Sequence, residues 1–215
     1  MNKLVWIMLA LTVTALLLVG CKKEAAGSES SSQETQEVAK LAKAYFDMVE
    51  NGTYHMETRF ISKADGKERE IKNIIYAMDG KMAATIHMGG EVIKTIAKDD
   101  KLYFISDKDK AVMESALTEN YTKSMEAFKP ETLEFKGTGT GKFMGRDLIY
   151  EEYSVTGQNA DMRFYFDGKN LAGLQSVTDG KQNAELEIFA FDSNVDPQIF
   201  EIPSDYKIVK DQKKK

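Results

Sequence analysis

From Thr53 onward the chain is cut by tight-turn residues into short segments whose apolar side chains fall at every second position. Tyr54, Met56, Thr58 and Phe60 alternate with His55, Glu57 and Arg59, and a turn follows at Ala64-Asp65-Gly66-Lys67. Ile74, Tyr76 and Met78 run to Asp79-Gly80, and Met82, Ala84, Ile86 and Met88 run to Gly89-Gly90. Residues 92–97 end at Asp99-Asp100, and residues 102–105 end at Asp107-Lys108-Asp109. A side-chain period of two places one row of each segment on one side of a pleated strand. Asp-Gly pairs between such runs are the strongest local hairpin signal. The texture resumes over residues 132–136, 142–144, 148–156, 162–166, 171–178 and 185–192, with turns at Gly145-Arg146-Asp147, Asp167-Gly168 and Asp179-Gly180. The chain therefore predicts a meander of about 10–11 consecutive antiparallel strands.

Two stretches break the alternation. Val38, Leu41, Ala42, Tyr45 and Val49 recur at three- and four-residue steps before Asn51-Gly52. Leu117, Tyr121, Met125 and Phe128 repeat in the same manner before Lys129-Pro130. Each spacing predicts an amphipathic helix, the second over residues 115–128. The fold class is then α+β: one long curved antiparallel sheet, with two helices laying their apolar stripes over its inner side. Val195 to Pro203 reads as an irregular apolar cap, and residues 209–215 as a frayed basic tail.

The start of the sequence has a different character. A basic Met1-Asn2-Lys3 precedes an apolar run over 4–19 that closes with Leu18-Val19-Gly20-Cys21. That run is short for a membrane span and turns polar at once, as an export signal does. The pattern is that of a lipobox, with residues 1–20 removed and Cys21 carrying the lipid. Cys21 is the only cysteine, so no disulfide is expected. Residues 21–33 are Ser/Glu-rich and read as the lipidated cysteine and a disordered tether reaching about 20 Å. Residues 34–208 form the folded domain. The expected location is extracytoplasmic, lipid-anchored to the cell membrane, or to the outer membrane where there are two. The net charge is −5, and only Lys3 is charged ahead of Cys21, so the mature chain carries −6. That balance argues against a nucleic-acid partner, which would want a basic face.

Catalytic constellations are missing from the sequence. His55 and His87 lie on separate strands, each more readily a surface residue than a ligand or base. No nucleophile elbow or zinc-binding helix occurs. Asp192-Ser193-Asn194-Val195-Asp196 imitates a calcium loop, but Pro197 stands where that loop needs glycine, and Pro203 where it needs a bidentate glutamate. Gly137-Thr138-Gly139-Thr140-Gly141 reads as a flexible strand or bulge. No enzyme activity, cofactor or metal is expected. What the sequence does offer is methionine beside aromatics at alternate strand positions. A polarizable wall of this kind adapts to ligands of varied shape, and it equally fills an irregular core. The candidate lining is Met56, Phe60, Tyr76, Met78, Met82, Ile86, Phe104, Leu117, Tyr121, Met125, Phe164 and Phe166.

The lipidated cysteine, tether, helix, meander, second helix, further strands and closing Phe200-Glu201-Ile202-Pro203-Ser204-Asp205-Tyr206-Lys207 resemble the lipoprotein-carrier-like superfamily of LolA, LolB, LppX and RseB. Lys101-Leu102-Tyr103-Phe104-Ile105 followed by residues 107–113 is similar to the central hairpin of that group. The resemblance implies an unclosed β half-barrel whose concave face is plugged by helices and holds a lipid or acyl chain. It implies lipid or lipoprotein carriage as a role. The alternative is an envelope sensor that uses the same fold to bind a protein partner, without a ligand. The gating arginine and protruding leucine of the sorting members have no counterpart position here.

Overall fold

The computed structural model of the chain describes residues 41–64, 67–117 and 132–210. The leader, Cys21, the tether, most of the second expected helix with Tyr121 and Met125, and the last five residues lie outside them. One α-helix is described, α1 (Lys43–Glu50). It is followed by β1 (Tyr54–Ala64), β2 (Lys67–Met78), β3 (Lys81–Met88), β4 (Glu91–Lys98), β5 (Lys101–Ser106) and β6 (Ala111–Ala116). Next come β7 (Leu133–Phe143), β8 (Arg146–Val155), β9 (Asp161–Asp167), β10 (Asn170–Thr178) and β11 (Lys181–Asp192). A 3-10 turn (Pro197–Phe200) and β12 (Lys207–Lys210) complete the described chain.

Hydrogen bonding orders the twelve strands β12-β6-β5-β4-β3-β2-β1-β11-β10-β9-β8-β7, and the two end strands are not joined. The expected long, unclosed antiparallel sheet is present. The expectation of two helices is not supported: Ser115 and Ala116, placed in the second helix by spacing, belong to strand β6. Two strands expected over 132–136 and 142–144 are one, β7, with a bulge between Phe135 and Gly137. Residues 209 and 210 are not frayed but pair in parallel with β6, as Val209 with Met113 and Lys210 with Glu114. The hairpins form where the turn residues stand. Asp79 and Gly80 have φ of 51° and 73°, and Asp179 and Gly180 have φ of 52° and 71°. Both central residues of each pair are thus left-handed, as the twist of a two-residue hairpin requires.

The described residues divide into two compact units, one of residues 41–47 with 132–187, the other of 48–64, 67–117 and 188–210. In the first unit the start of α1 packs on strands β8 and β9. Phe46 meets Tyr153 and Phe164 edge-on, each at 5.3 Å between ring centres. The Tyr45 hydroxyl accepts from Leu171 N at 2.8 Å and donates to the Lys169 carbonyl. The helix is anchored just ahead of its first turn by Glu151, a fully buried carboxylate on β8. Its Oε1 accepts from Leu41 N and its Oε2 from Ala42 N, both at 3.1 Å. The Tyr153 hydroxyl donates to Oε2 at 2.9 Å. Burial first, and then this carboxylate, push the Tyr153 pKa far up, so the phenol stays a donor.

The other side of β7–β10 is aromatic and ionic. Phe143 stacks on Tyr165, and the Arg163 guanidinium lies 4.6 Å from the Tyr150 ring centre. Tyr165 donates to Gln175 Oε1 at 3.0 Å, and Gln175 Nε2 donates to Glu185 at 2.9 Å. Arg163 Nε reaches Glu152 Oε2 at 2.6 Å, and Lys136 Nζ lies 3.3 Å from Oε1. Burial alone would raise the Glu152 carboxyl, but Arg163 and then Lys136 outweigh it and hold it below the usual carboxylate range. A depressed folded-state pKa adds stability that is present above the unfolded value of about 4.3 and is lost as pH falls through the folded one. The urea midpoint should therefore drop on acidification below about pH 4, and Glu152→Gln should flatten that part of the profile. An unchanged profile in the Gln variant would remove Glu152 as its source.

In the second unit β1–β6 form a consecutive meander, and residues from Val195 to Tyr206 close one of its faces. Phe200 is buried with Ala83, Ile96, Tyr103 and Val112, and Tyr76, Met78, Ile105, Val195, Ile202 and Tyr206 pack around them. The apolar cap read from the sequence is therefore a plug. The 3-10 turn that presents Phe200 is capped by Asp196, whose Oδ1 accepts from Gln198 N at 2.9 Å. Lys98 donates to the Phe200 carbonyl at 2.8 Å.

Candidate ligand-binding face

Residues directly opposed in antiparallel strands point to the same side of the sheet. Met56 opposes Ile75, which opposes Ala84, then Thr95, Phe104 and Met113, one row running across β1–β6. A second row runs Tyr54, Ala77, Met82, Ala97 and Leu102. Phe60, Ile71 and Met88 form a third, and Thr58, Asn73, Ile86 and Ile93 a fourth. One face of this unit thus carries mostly apolar side chains, with Thr58, Asn73 and Thr95 buried among them and Ser115 and Glu91 at the ends of two rows. Its small or central members, such as Ile71, Ala77, Ile86 and Leu102, are buried. Its large flexible ones, Met56, Phe60, Ile75, Met82, Met88, Ile93, Phe104 and Met113, are only half-buried.

The structure brings together five of the predicted lining residues: Met56, Phe60, Met82, Ile86 and Phe104. It separates the others. Tyr76 opposes Ala83, and Met78 opposes Lys81, so both lie on the opposite face under the Phe200 plug. Phe164 and Phe166 are buried in the first unit, where they meet Phe46 and Tyr45 of α1. Leu117 is half-buried just after β6, with its N–H bonded to the Asp100 carbonyl at 3.0 Å. Tyr121 and Met125 fall outside the described residues. Ile75, Met88, Ile93 and Met113 also stand half-buried on the face and were missed. Counting by twos from Met56 and Phe104 across the turns would have found them.

An open trough of about 710 Å³ lies in the same unit, beside the Gly89-Gly90 turn. Ile74, Met88, Val92 and Phe189 give it apolar walls, and Arg69 and Lys72 give it charge. Val92 and Phe189 are 52% and 56% exposed. The Arg59 guanidinium lies 5.4 Å from the Phe189 ring centre. Glu70 lies 3.4 Å from Arg59 and 3.2 Å from Lys72, so the rim is largely self-neutralised.

The two histidines are not brought together. His87 is exposed on β3. His55 stacks on Tyr76 with 4.6 Å between ring centres and an interplanar angle of 13°. Its Nδ1 is 3.4 Å from Asp192, and its Nε2 is 3.3 Å from Glu57. The second separation fails hydrogen-bond geometry and leaves that nitrogen buried without a bond. Burial, then Glu57 and Asp192, raise the Tyr76 pKa. Among the described residues no group of three or more His, Cys, Asp or Glu could hold a metal, and no helix is long and apolar enough to cross a membrane.

No protein-family description matches the chain, and no curated protein matches it. Similar solved structures include an uncharacterized conserved protein from Thermus thermophilus, at 14% identity and a TM-score of 0.46 over 79% of this chain and 98% of that one. Pseudomonas aeruginosa MucB, solved with MucA, is 9% identical with a TM-score of 0.42, and the match takes in 80% of this chain and 64% of that one. The Mycobacterium tuberculosis lipoprotein LppX is 13% identical with a TM-score of 0.39, over 75% of this chain and 99% of that one.

Proposed function

We propose that this chain is an extracytoplasmic lipoprotein that holds a lipid, acyl chain or other hydrophobic ligand on the half-buried face of β1–β6 and carries it without covalent chemistry. The observation that supports this reading is the row Met56, Ile75, Phe104 and Met113 with its neighbours Phe60, Met82, Met88 and Ile93. Apolar side chains are left half-exposed on one face, while the other face of the same strands has its own plug. A contiguous apolar patch on a sheet marks a binding surface more often than a solvated one. Methionines supply the conformational freedom to fit chains of varied length. The anchor rests on Leu18-Val19-Gly20-Cys21.

A second reading, an envelope sensor or interaction protein, is favoured by the trough. Its exposed Val92 and Phe189, ringed by Arg59, Arg69 and Lys72 and by the acids Glu57, Glu70 and Glu91, suit an apolar protein segment with a mixed polar border.

Native mass spectrometry of the chain purified from membranes separates the two. The expected result is an added mass of lipid size, lost in Phe104→Asp and in Met82→Asp. Met78→Asp lies under the plug, so it should lower stability and leave the ligand bound. An apo mass in the wild type, with a protein retained in its place, would overturn the carrier reading in favour of the sensor. Equal ligand retention in all three variants would detach the ligand from this face.

A further inference from the structure

Two side chains on the proposed ligand face do not match their surroundings. Thr58 on β1 and Asn73 on β2 are directly opposed, in the row that continues through Ile86 and Ile93. Along the strands, Met56 and Phe60 flank Thr58 and Ile71 and Ile75 flank Asn73 on the same face. Thr58 is 2% exposed and Asn73 9%. Threonine suits a strand, but asparagine is depleted there. Positions that break a local rule of this kind concentrate at functional sites.

The fold makes no use of either polar group. Among the described residues no hydrogen bond joins the Thr58 hydroxyl or the Asn73 amide to any partner. They do not even bond each other, although opposed Cβ atoms in a sheet stand about 5 Å apart. Nor are they sealed in. The buried side-chain atoms without a partner are His55 Nε2 and Ser176 Oγ, so the small exposed part of each residue includes its polar atoms. Both residues also border the open trough beside the Gly89-Gly90 turn. A hydroxyl, a carbonyl and an NH2 are thus presented together within an apolar surface. Thr95, the third buried polar residue of the face, stands apart between Ala84 and Phe104. No charged residue lies in the row of the pair, or beside it on β1, β2 or β3. An ion placed there would lose water and find no counter-charge, which is costly.

We infer that Thr58 and Asn73 form a polar subsite of the ligand face and select an acyl ester or amide. The Thr58 hydroxyl and the Asn73 NH2 donate to its uncharged carbonyl, while its hydrocarbon lies along Met56, Ile75, Phe104 and Met113. The inference rests on the carrier reading and narrows its ligand class. A bare hydrocarbon leaves both donors unpaired, and an ionised fatty acid brings an uncompensated charge. Each neutral hydrogen bond is worth roughly two- to tenfold in affinity, so the two together should give about tenfold.

The full chain, purified from membranes and stripped of bound lipid, is loaded with diphenylhexatriene, a bare hydrocarbon that fluoresces when bound. Methyl laurate, or laurate at pH 8, is then added to displace it. Thr58→Val/Asn73→Leu should bind diphenylhexatriene at least as well as wild type, yet need about tenfold more methyl laurate to release it. Laurate should be weak in both. Because the double variant loses no bond within the protein, its urea midpoint should equal or exceed that of wild type. Thr58→Val alone, which keeps the side-chain shape, should show a severalfold loss and serves where the double variant does not fold. An unchanged methyl laurate midpoint in the variants, with diphenylhexatriene still bound, would overturn the inference and leave the carrier reading standing. A lowered urea midpoint with unchanged ester affinity would assign the pair to the fold instead. A wild-type chain that takes up neither diphenylhexatriene nor the ester would overturn both.

Discussion

Replacing Glu151 by alanine should cost about 3 kcal/mol of stability, seen as a lowered urea midpoint at unchanged slope. The carboxylate is wholly buried and accepts three hydrogen bonds, from Leu41 N, Ala42 N and the Tyr153 hydroxyl. Two of those donors are backbone amides just ahead of α1, where a helix has N–H groups without intrahelical partners and the positive end of its dipole. Charge-assisted bonds there are about twice as strong as neutral ones. Alanine would leave all three donors unpaired, two of them buried and the Leu41 amide partly so, which is the costly half of losing a hydrogen bond. Glutamine keeps the shape but sets an NH2 against an amide N–H, so Glu151→Gln should fall between wild type and alanine. Tyr153→Phe should cost only about 1 kcal/mol, because the Ala42 amide still occupies the same oxygen. An alanine variant as stable as wild type would mean that α1 is held by ring packing alone.

The sequence showed which residues alternate, but not always which rows of different strands share a face. Along β2 and β3 both rows look apolar: Tyr76 and Met78 on one, Ile75 and Ala77 on the other. The deciding fact is the turn. A two-residue Asp79-Gly80 hairpin makes Met78 and Lys81 partners, so Met82 faces Ala77, and Met78 goes to the opposite side with Ala83. Reading turn length before side-chain size would have split the proposed lining in two. Glu151 was hidden differently. Beside Glu152 it reads as half of a solvated acidic pair, yet alternation puts it with Tyr153 and Val155 on the covered side of β8. Only the arrival of the Leu41 and Ala42 amides, more than a hundred residues away in sequence, gives a buried carboxylate its partners. The parallel seating of β12 on β6 was illegible for a related reason. A parallel partner is set by distant chain geometry and leaves no turn signature between the strands.

Gly173→Ala should lower stability by about 3 kcal/mol, and Gly173→Val by more. Strand propensity alone predicts the opposite sign, since glycine in a strand interior costs about 0.5–1 kcal/mol relative to alanine. What reverses it is space. A Cβ at Gly173 would stand 2.1 Å from Phe143 Cζ and 2.5 Å from the Leu186 carbonyl oxygen. The carbonyl is in a strand whose ladder to β10 pairs Gly173 with Glu187 and Leu174 with Leu186, so it has little room to retreat. The ring is fully buried and stacked on Tyr165 at 4.8 Å, so moving it breaks a second packed pair. Phe143→Ala alone should cost about 3–5 kcal/mol as a cavity. Combining Phe143→Leu with Gly173→Ala should recover part of the loss, because a smaller side chain vacates the space that the new methyl needs. Two costs that simply add would show that the methyl's clash is with the Leu186 carbonyl and not with the ring. A Gly173→Ala variant at least as stable as wild type would mean that the close seating of Phe143 on this glycine does not constrain the first unit's core.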